Sequence, residues 1–293
     1  MAVRAQGQTT PVRLRSYTPG DEEAVLLLVE ADRIAGQPRA TPEMLAEALA
    51  GRSPVDSGWW GELDAPRTDV AVDSAGNLVG VISYATRPSD AAGMVLWLHA
   101  QENIDVVAAM IRHVLDTLGP RTVYAFEMAS ALTLGMEGLP VGHRPVTARV
   151  LVEAGFTGRD LWRYMRASTP LTELPRAGNY TVSPCDEPLG KRLEVRDGEE
   201  LVAEAIIGRP QAGIGVLWWI TVAPAARRRG LGLAVLGSSA DLLTGLGAEQ
   251  VILYVDDDAP PGDPDRDRTA ANRMYDQAGF VQVDRLHSYS RPA

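Results

Sequence analysis

Apolar residues recur along this chain with two periods, every second position in short runs and every third or fourth in longer ones, so strands and amphipathic helices alternate. Residues 12–17 (VRLRSY) alternate as a first strand. Thr18-Pro-Gly-Asp21 supplies a turn and an N-cap, and residues 22–35 read as a helix with Ala24, Leu27, Leu28 and Ala31 on one face. Thr41 caps a second helix, with Pro42 at its first position, that runs to about Ala50. A turn-rich segment holding Trp59 and Trp60, a pair read as packing residues, leads to strands at 69–72 and 78–84 joined by the hairpin chemistry of Asp73-Ser-Ala-Gly-Asn77. A strand at 94–98, a helix at 104–118, a strand at 122–127, a short helix at 147–154 and closing strands within 156–166 complete the series.

After a proline-spaced linker at 169–178 the series starts again, with strands at 193–195 and 201–207 around Arg196-Asp-Gly-Glu199. A buried strand at 216–222, a helix at 231–246, a strand at 251–256, a helix at 269–278 and final strands within 280–290 follow. The repetition is legible in the residues themselves. Ala154-Gly155-Phe156 matches Ala278-Gly279-Phe280 at an offset of 124, and Val95-Leu96-Trp97 matches Val216-Leu217-Trp218 at an offset of 121. Two copies of one α+β fold are therefore expected, at 11–168 and 179–293, with residues 1–10 a flexible tail.

The copies differ in chemistry at one turn. Between the strand at 216–222 and the helix at 231–246 stands Arg227-Arg228-Arg229-Gly230-Leu231-Gly232. Without a Cβ, Gly230 and Gly232 let a ligand approach the backbone where the first helical N–H groups have no partner. Those donors, the positive end of the helix dipole and the arginines together suit a phosphate or diphosphate. A dinucleotide fingerprint would need a third glycine where Val235 stands, and a Walker loop would need Gly-Lys-Ser/Thr.

Arg227-x-x-Gly230-x-Gly232 after Val222-Ala223-Pro224 resembles the coenzyme A diphosphate loop of the Gcn5-related N-acetyltransferases (GNATs), and the doubled layout resembles the mycothiol synthases. Asn272-x-x-Tyr275 with Gly279-Phe280 resembles the second signature of that family. The resemblance implies two GNAT-like domains in tandem, each a mixed, mainly antiparallel sheet flanked by helices, and acetyl-CoA as acyl donor. It also implies that Ile220, Thr221 and Val222 line the pantetheine arm, and that Arg227, Arg228, Arg229, Gly230, Leu231, Gly232, Leu233 and Ala234 hold the diphosphate. Asn272 would contact the coenzyme, and Tyr275 would protonate the departing thiolate. The strand glutamate that many relatives use as base is missing from GVLWWITV, and Glu204 and Asp256 are the candidate replacements, each also readable as an ordinary surface or turn carboxylate.

At the 121-residue offset, Val106, Ala109 and Ile111 stand opposite Arg227, Gly230 and Gly232; at 124, Ala148 and Leu151 stand opposite Asn272 and Tyr275. The first copy is thus expected to keep the core and lack the coenzyme site. The second copy lacks room for the family's two opening helices, because TVSPCDEPLGKR is short and broken by prolines. The first copy is expected to supply the missing wall, placing the acceptor pocket between the two.

Composition narrows the function. With 45% hydrophobic and 23% charged residues the chain is globular in character, and its net charge of −10 argues against a nucleic-acid surface. The single cysteine, Cys185, excludes an intrachain disulfide and fits a reducing, cytoplasmic setting. No apolar h-region opens the sequence, and no 18-residue apolar run occurs, so neither secretion nor a membrane partner is expected. The four histidines lack metal-ligand spacing, and Asp256-Asp257-Asp258 with APPGDPDRDR lacks the glycine and glutamate of an EF-hand, so no metal is expected. The acidic stretch is read as a loop able to attract a cationic acceptor. Two function classes remain: an N-acetyltransferase acting on a small amine by direct attack, or a non-catalytic acyl-CoA-binding module. O-acetylation or a longer acyl group is a variant of the first.

Overall fold

The alternating strands of both halves pair edge to edge into one mixed sheet. A computed structural model describes residues 12–256 and 267–293; the tail at 1–10 and the stretch containing Asp257 and Asp258 lie outside the described residues. The first half runs β1 (Arg13–Ser16), α1 (Glu22–Ala31), α2 (Pro42–Leu49), α3 (Ser57–Trp60), β2 (Arg67–Val72), β3 (Leu78–Arg87) and β4 (Ala92–His99). It continues with α4 (Ile104–Leu118), β5 (Val123–Ala125), β6 (Leu139–Pro140), α5 (Pro145–Glu153) and β7 (Thr157–Ser168). The second half runs β8 (Thr181–Asp186), β9 (Leu189–Asp197), β10 (Glu200–Gly208), β11 (Ile214–Val222), α6 (Leu231–Gly245), β12 (Gln250–Asp256), α7 (Thr269–Gln277) and β13 (Val281–Arg291).

Local chemistry accounts for most boundaries. Thr41 Oγ1 accepts the Met44 N–H at 3.3 Å and Pro42 takes the first turn of α2. The first helix ends at Ala31, short of the expected residue 35, because the chain turns through Gly36 at φ +83°, where a Cβ would lie 2.5 Å from the Tyr164 hydroxyl. No element was expected at 181–186, yet β8 forms there; Pro184 is tolerated because β8 pairs on one side only, with β9.

The sheet order is β1-β2-β3-β4-β5-β13-β7-β12-β11-β10-β9-β8, with β6 beside β13. More than one closing strand was expected within 156–166 and again within 280–290. Instead β7 and β13 are single long strands that pair with each other from Val281↔Arg166 to Ser290↔Thr157. On its other edge β13 pairs with β5 of the first half, and β7 pairs with β12 of the second along Gln250–Asp256. Each half therefore completes its sheet with a strand of the other.

Helices bury apolar faces on both halves of this sheet. Val106, Val107, Met110, Ile111 and Val114 of α4 pack with α5 residues Val150 and Leu151. In the second half Val235, Leu236 and Leu243 of α6 pack over Leu193, Ala205, Ile207 and Leu217. At the centre, the rings of Tyr164 on β7 and Tyr254 on β12 stack at 5.3 Å, and Gln37 Nε2 donates to both hydroxyls, at 3.2 and 3.1 Å. Leu134 closes the set, its N–H donating to Gln37 Oε1 and its carbonyl accepting from Tyr254. Loops of the first half are thereby fastened onto the middle of the sheet.

Candidate functional site

Strand β11 pairs in parallel with β12 only from Ile214↔Gln250 to Leu217↔Leu253, although the two strands continue to Val222 and Asp256. Past Leu217 they diverge, leaving the β12-facing backbone of Ile220 and Val222 outside the ladder, while Thr221 between them turns its backbone towards β10. The divergence begins at a bulge, since Ile206 pairs Trp219 while Ile207 pairs Leu217, leaving Trp218 as the extra residue. From the open end a 3₁₀ turn, Pro224–Ala226, leads to the arginine turn. Arg227, Arg228, Arg229 and Gly230 are exposed, and Arg227 Nε donates to the Val222 carbonyl at 3.0 Å. Gly230 takes the N-cap position of α6 at φ +78°, with no side chain to cap it and no heavy atom within 4 Å of where a Cβ would sit. Leu231, Leu233 and Ala234 anchor this first turn against the core below it. The outward N–H groups of an uncapped helix start flanked by arginines fit an anionic diphosphate, and the unpaired β11 edge fits an amide-bearing arm.

Helix α7 comes to the same place. A Cβ at Gly232 would lie 2.9 Å from Met274 Sδ, so the turn of α6 and the helix carrying Tyr275 touch. Tyr275 is 6% exposed, its ring edge-on to Phe280 at 5.8 Å, and its hydroxyl has no protein partner among the described residues. Burial pushes its phenol pKa up, keeping the proton in place through neutral pH. Asn272 is held at both ends: Oδ1 accepts from Arg163 Nη1 at 3.0 Å, and Nδ2 donates to the Arg268 carbonyl at 3.2 Å. Arg163 also donates to Asp276 and Gln282, each at 2.7 Å, so a residue of β7 fixes the register of α7.

Opposite the α6 face of β10 and β11 lies an open cavity of about 910 Å³. The first half contributes Asp56, Trp59 and Glu62, and the second contributes Asp186, Glu187, Arg192, Glu204, Trp218 and Trp219. Trp60 is packed, 3% exposed with Nε1 donating to the Ala129 carbonyl at 3.0 Å, but Trp59 is 57% exposed in the cavity wall, contrary to its reading as a packing residue. Glu204 is in that wall and accepts from Arg192 at 2.8 Å, whereas Asp256, at the open end of β12, faces Arg268 Nε at 3.4 Å. Sequence reasoning missed Glu137. Its loop reaches the bulge, because a Cβ on Gly135 would lie 2.2 Å from the Trp218 ring. Desolvation, then repulsion from Asp56, Glu127 and Asp256, pushes Glu137 up to about 7, against a weaker opposing pull from Arg159. No local motif marks it, since those acids lie far apart in the sequence.

No protein-family model matches the sequence. The chain is 24% identical over 300 residues to the mycothiol acetyltransferase of Streptomyces avermitilis, covering 92% of this chain and 91% of that one. It is 35% identical over 80 residues to the mycothiol acetyltransferase of Renibacterium salmoninarum, 27% of this chain and 21% of the relative. A GCN5-related N-acetyltransferase from Sphaerobacter thermophilus superposes with a TM-score of 0.62 at 16% identity, covering 96% of this chain and 95% of the other. A tandem GNAT protein from the clavulanic acid biosynthesis pathway superposes with a TM-score of 0.61 at 14% identity, covering 96% and 98%. The fold is that of the tandem GNAT proteins.

Within this tandem GNAT fold the two halves line up differently at the turn than the 121-residue offset implies. In the first half β4 bulges at Leu96 and α4 starts eight positions later at Ile104. In the second, thirteen positions separate the bulge at Trp218 from Leu231. The counterparts of Gly230 and Gly232 are therefore Asn103 and Asp105 at the start of α4, not Ala109 and Ile111 within it, and the arginine turn is extra length in the second half. At α5 the 124-residue offset holds, and Leu151, opposite Tyr275, is fully buried.

Proposed function

We propose that this chain is an acetyltransferase that moves an acetyl group from acetyl-CoA to the amine of a small molecule by direct attack. The observation that carries the reading is the uncapped, arginine-flanked start of α6, placed beside an unpaired β11 edge and in contact with the helix of Tyr275. The first turn of α6 would hold the diphosphate, and main-chain groups of Ile220 and Val222 the pantetheine arm. When bound, the thioester supplies the acyl group, its C–S bond breaking as the amine's C–N bond forms.

The residues of the chain divide the proton work. An attacking amine must be neutral, so a base has to take the ammonium proton first. Glu204 is committed to Arg192, and Asp256 stands against Arg268. Glu137, poised to titrate near 7 behind the Trp218 bulge, is the base we assign. Tyr275, holding its proton, supplies one to the sulfur. The acceptor would enter by the cavity between the halves, where the first half stands in for the helices the second one lacks.

Calorimetric titration with acetyl-CoA, followed by free-thiol release across a panel of amines, amino sugars and polyamines, tests this. Micromolar coenzyme binding and amine-dependent thiol release are expected. Binding without thiol release from any amine would make the chain an acyl-CoA-sensing module instead.

A further inference from the structure

The cavity between the halves is more acidic than transfer to a simple amine calls for. Five carboxylates and one guanidinium line it, and the guanidinium of Arg192 is taken by Glu204. Asp56, Glu62, Asp186 and Glu187 are left with no cationic side chain paired to them among the described residues. Each uncompensated carboxylate beside an ammonium favours its charged form. For an acceptor with a single amine, these four charges would hold the nucleophile protonated and work against the reaction. They become useful when the acceptor carries a second ammonium that the reaction does not consume.

The aromatic wall points the same way. Trp59 on α3 and Trp219 on β11 are 57% and 51% exposed, so neither is explained by packing, and both line the cavity. Indole faces are strong cation–π partners and flat platforms for a carbon frame. A volume of about 910 Å³ also exceeds what a short monoamine fills, small-molecule sites running from roughly 300 to 1,000 Å³.

Resting on the acetyl-transfer reading above, we infer that the acceptor bears at least two amino groups on a frame with a flat or aliphatic face. One is acetylated beside the Trp218 bulge, while the other stays charged against Asp56, Glu62 and the indole of Trp59. In the step itself the neutral nitrogen's lone pair forms the C–N bond, the C–S bond breaks, and the reacting ammonium's proton goes to the base. The sulfur takes a proton from Tyr275, the acylated nitrogen gives up its remaining surplus proton to restore that phenol by way of solvent, and the second ammonium is untouched.

Matched acceptors test this on the intact chain: 1,5-diaminopentane against pentylamine, and 2,6-diamino-2,6-dideoxyglucose against glucosamine, each followed by thiol release from acetyl-CoA. The diamine is expected to show at least a tenfold higher kcat/KM in one or both pairs, carried by KM and shrinking as salt rises. Glu62→Gln and Trp59→Leu are expected to erase that preference without changing the Kd for acetyl-CoA. Thiol release with equal kcat/KM inside both pairs overturns the dicationic acceptor and leaves acetyl transfer standing. Failure of every amine to release thiol from a chain that binds acetyl-CoA overturns the transfer reading, and this inference with it.

Discussion

Helices α4 and α6 each follow a bulged strand and pack on their half of the sheet, yet they begin in opposite ways. At α4 the Asn103 side chain accepts from the N–H groups of Asp105 and Val106, at 3.1 and 3.3 Å, and Asp105 adds a negative charge to the first turn. At α6 the cap is a glycine, the first turn has no acid, and three arginines precede it. One helix start is satisfied by its own side chains and the other is left open to an anion. Under the proposed function, coenzyme affinity would not come with the sheet and helix; a few residues of turn would confer it, and a short polar cap would withhold it.

The comparison can be broken most severely at the paired positions Tyr275 and Leu151. Tyr275→Phe should lower kcat by about 10² to 10⁴ with an unchanged Kd for acetyl-CoA, as steady-state kinetics and calorimetry would show. Leu151→Ala should instead cost about 2 to 5 kcal/mol of stability in chemical denaturation, with kcat of the folded protein intact. An unchanged kcat in Tyr275→Phe would remove the general acid from the mechanism.

Next in size is Glu137→Gln, expected to lower kcat/KM about 10²-fold at pH 8. Because the base form appears only as the carboxyl loses its proton, wild-type kcat/KM should climb as pH rises through about 7, and the variant should lose that limb. The same raised pKa has a stability signature. Between the ordinary carboxyl value and about 7 the folded chain binds the extra proton, so wild-type stability falls as pH rises through that window. Thermal melts of Glu137→Gln should show this decline removed.

A smaller effect sharpens the comparison directly. Gly230→Asn puts the first half's cap residue at the start of α6, but in a left-handed backbone at φ +78° where Asn103 is extended at φ −78°, so the side chain can cap only if the turn shifts. Coenzyme binding should weaken about tenfold, about 1.4 kcal/mol, as the new side chain crowds the N–H donors, with at most a small fall in melting temperature from the strained backbone. Smallest is Arg163→Ala, which frees the Asn272 and Asp276 end of α7. A few-fold loss in kcat with a near-constant Kd for coenzyme is expected, partly recovered by Arg163→Lys.

What could be read in the sequence was chemistry that is local. The arginine–glycine turn and the Asn272–Tyr275 face each lie within two helical turns, where spacing alone fixes which groups share a side. The strands at 216–222 and 251–256 were legible for the same reason, being short β-branched runs. Trp59 and Glu137 were not legible. Whether an indole is packed or bare at position 59 depends on β8 and β9 lying across from it, and the raised pKa of Glu137 depends first on its burial and then on Asp56, Glu127 and Asp256 converging from both halves. The crossing of β7 and β13 was hidden too, because an apolar alternation names a strand without naming its partner.

That crossing sets an order of events during synthesis. The strand that seals the first half's sheet between β5 and β7 is Val281–Arg291, which is translated after every other strand of the second half. Until it arrives, β5 and β7 hold an open slot, and the nascent first half waits unfinished through the translation of the whole second half. Either half expressed by itself would meet the same gap and would be prone to fill it with a neighbour's strand.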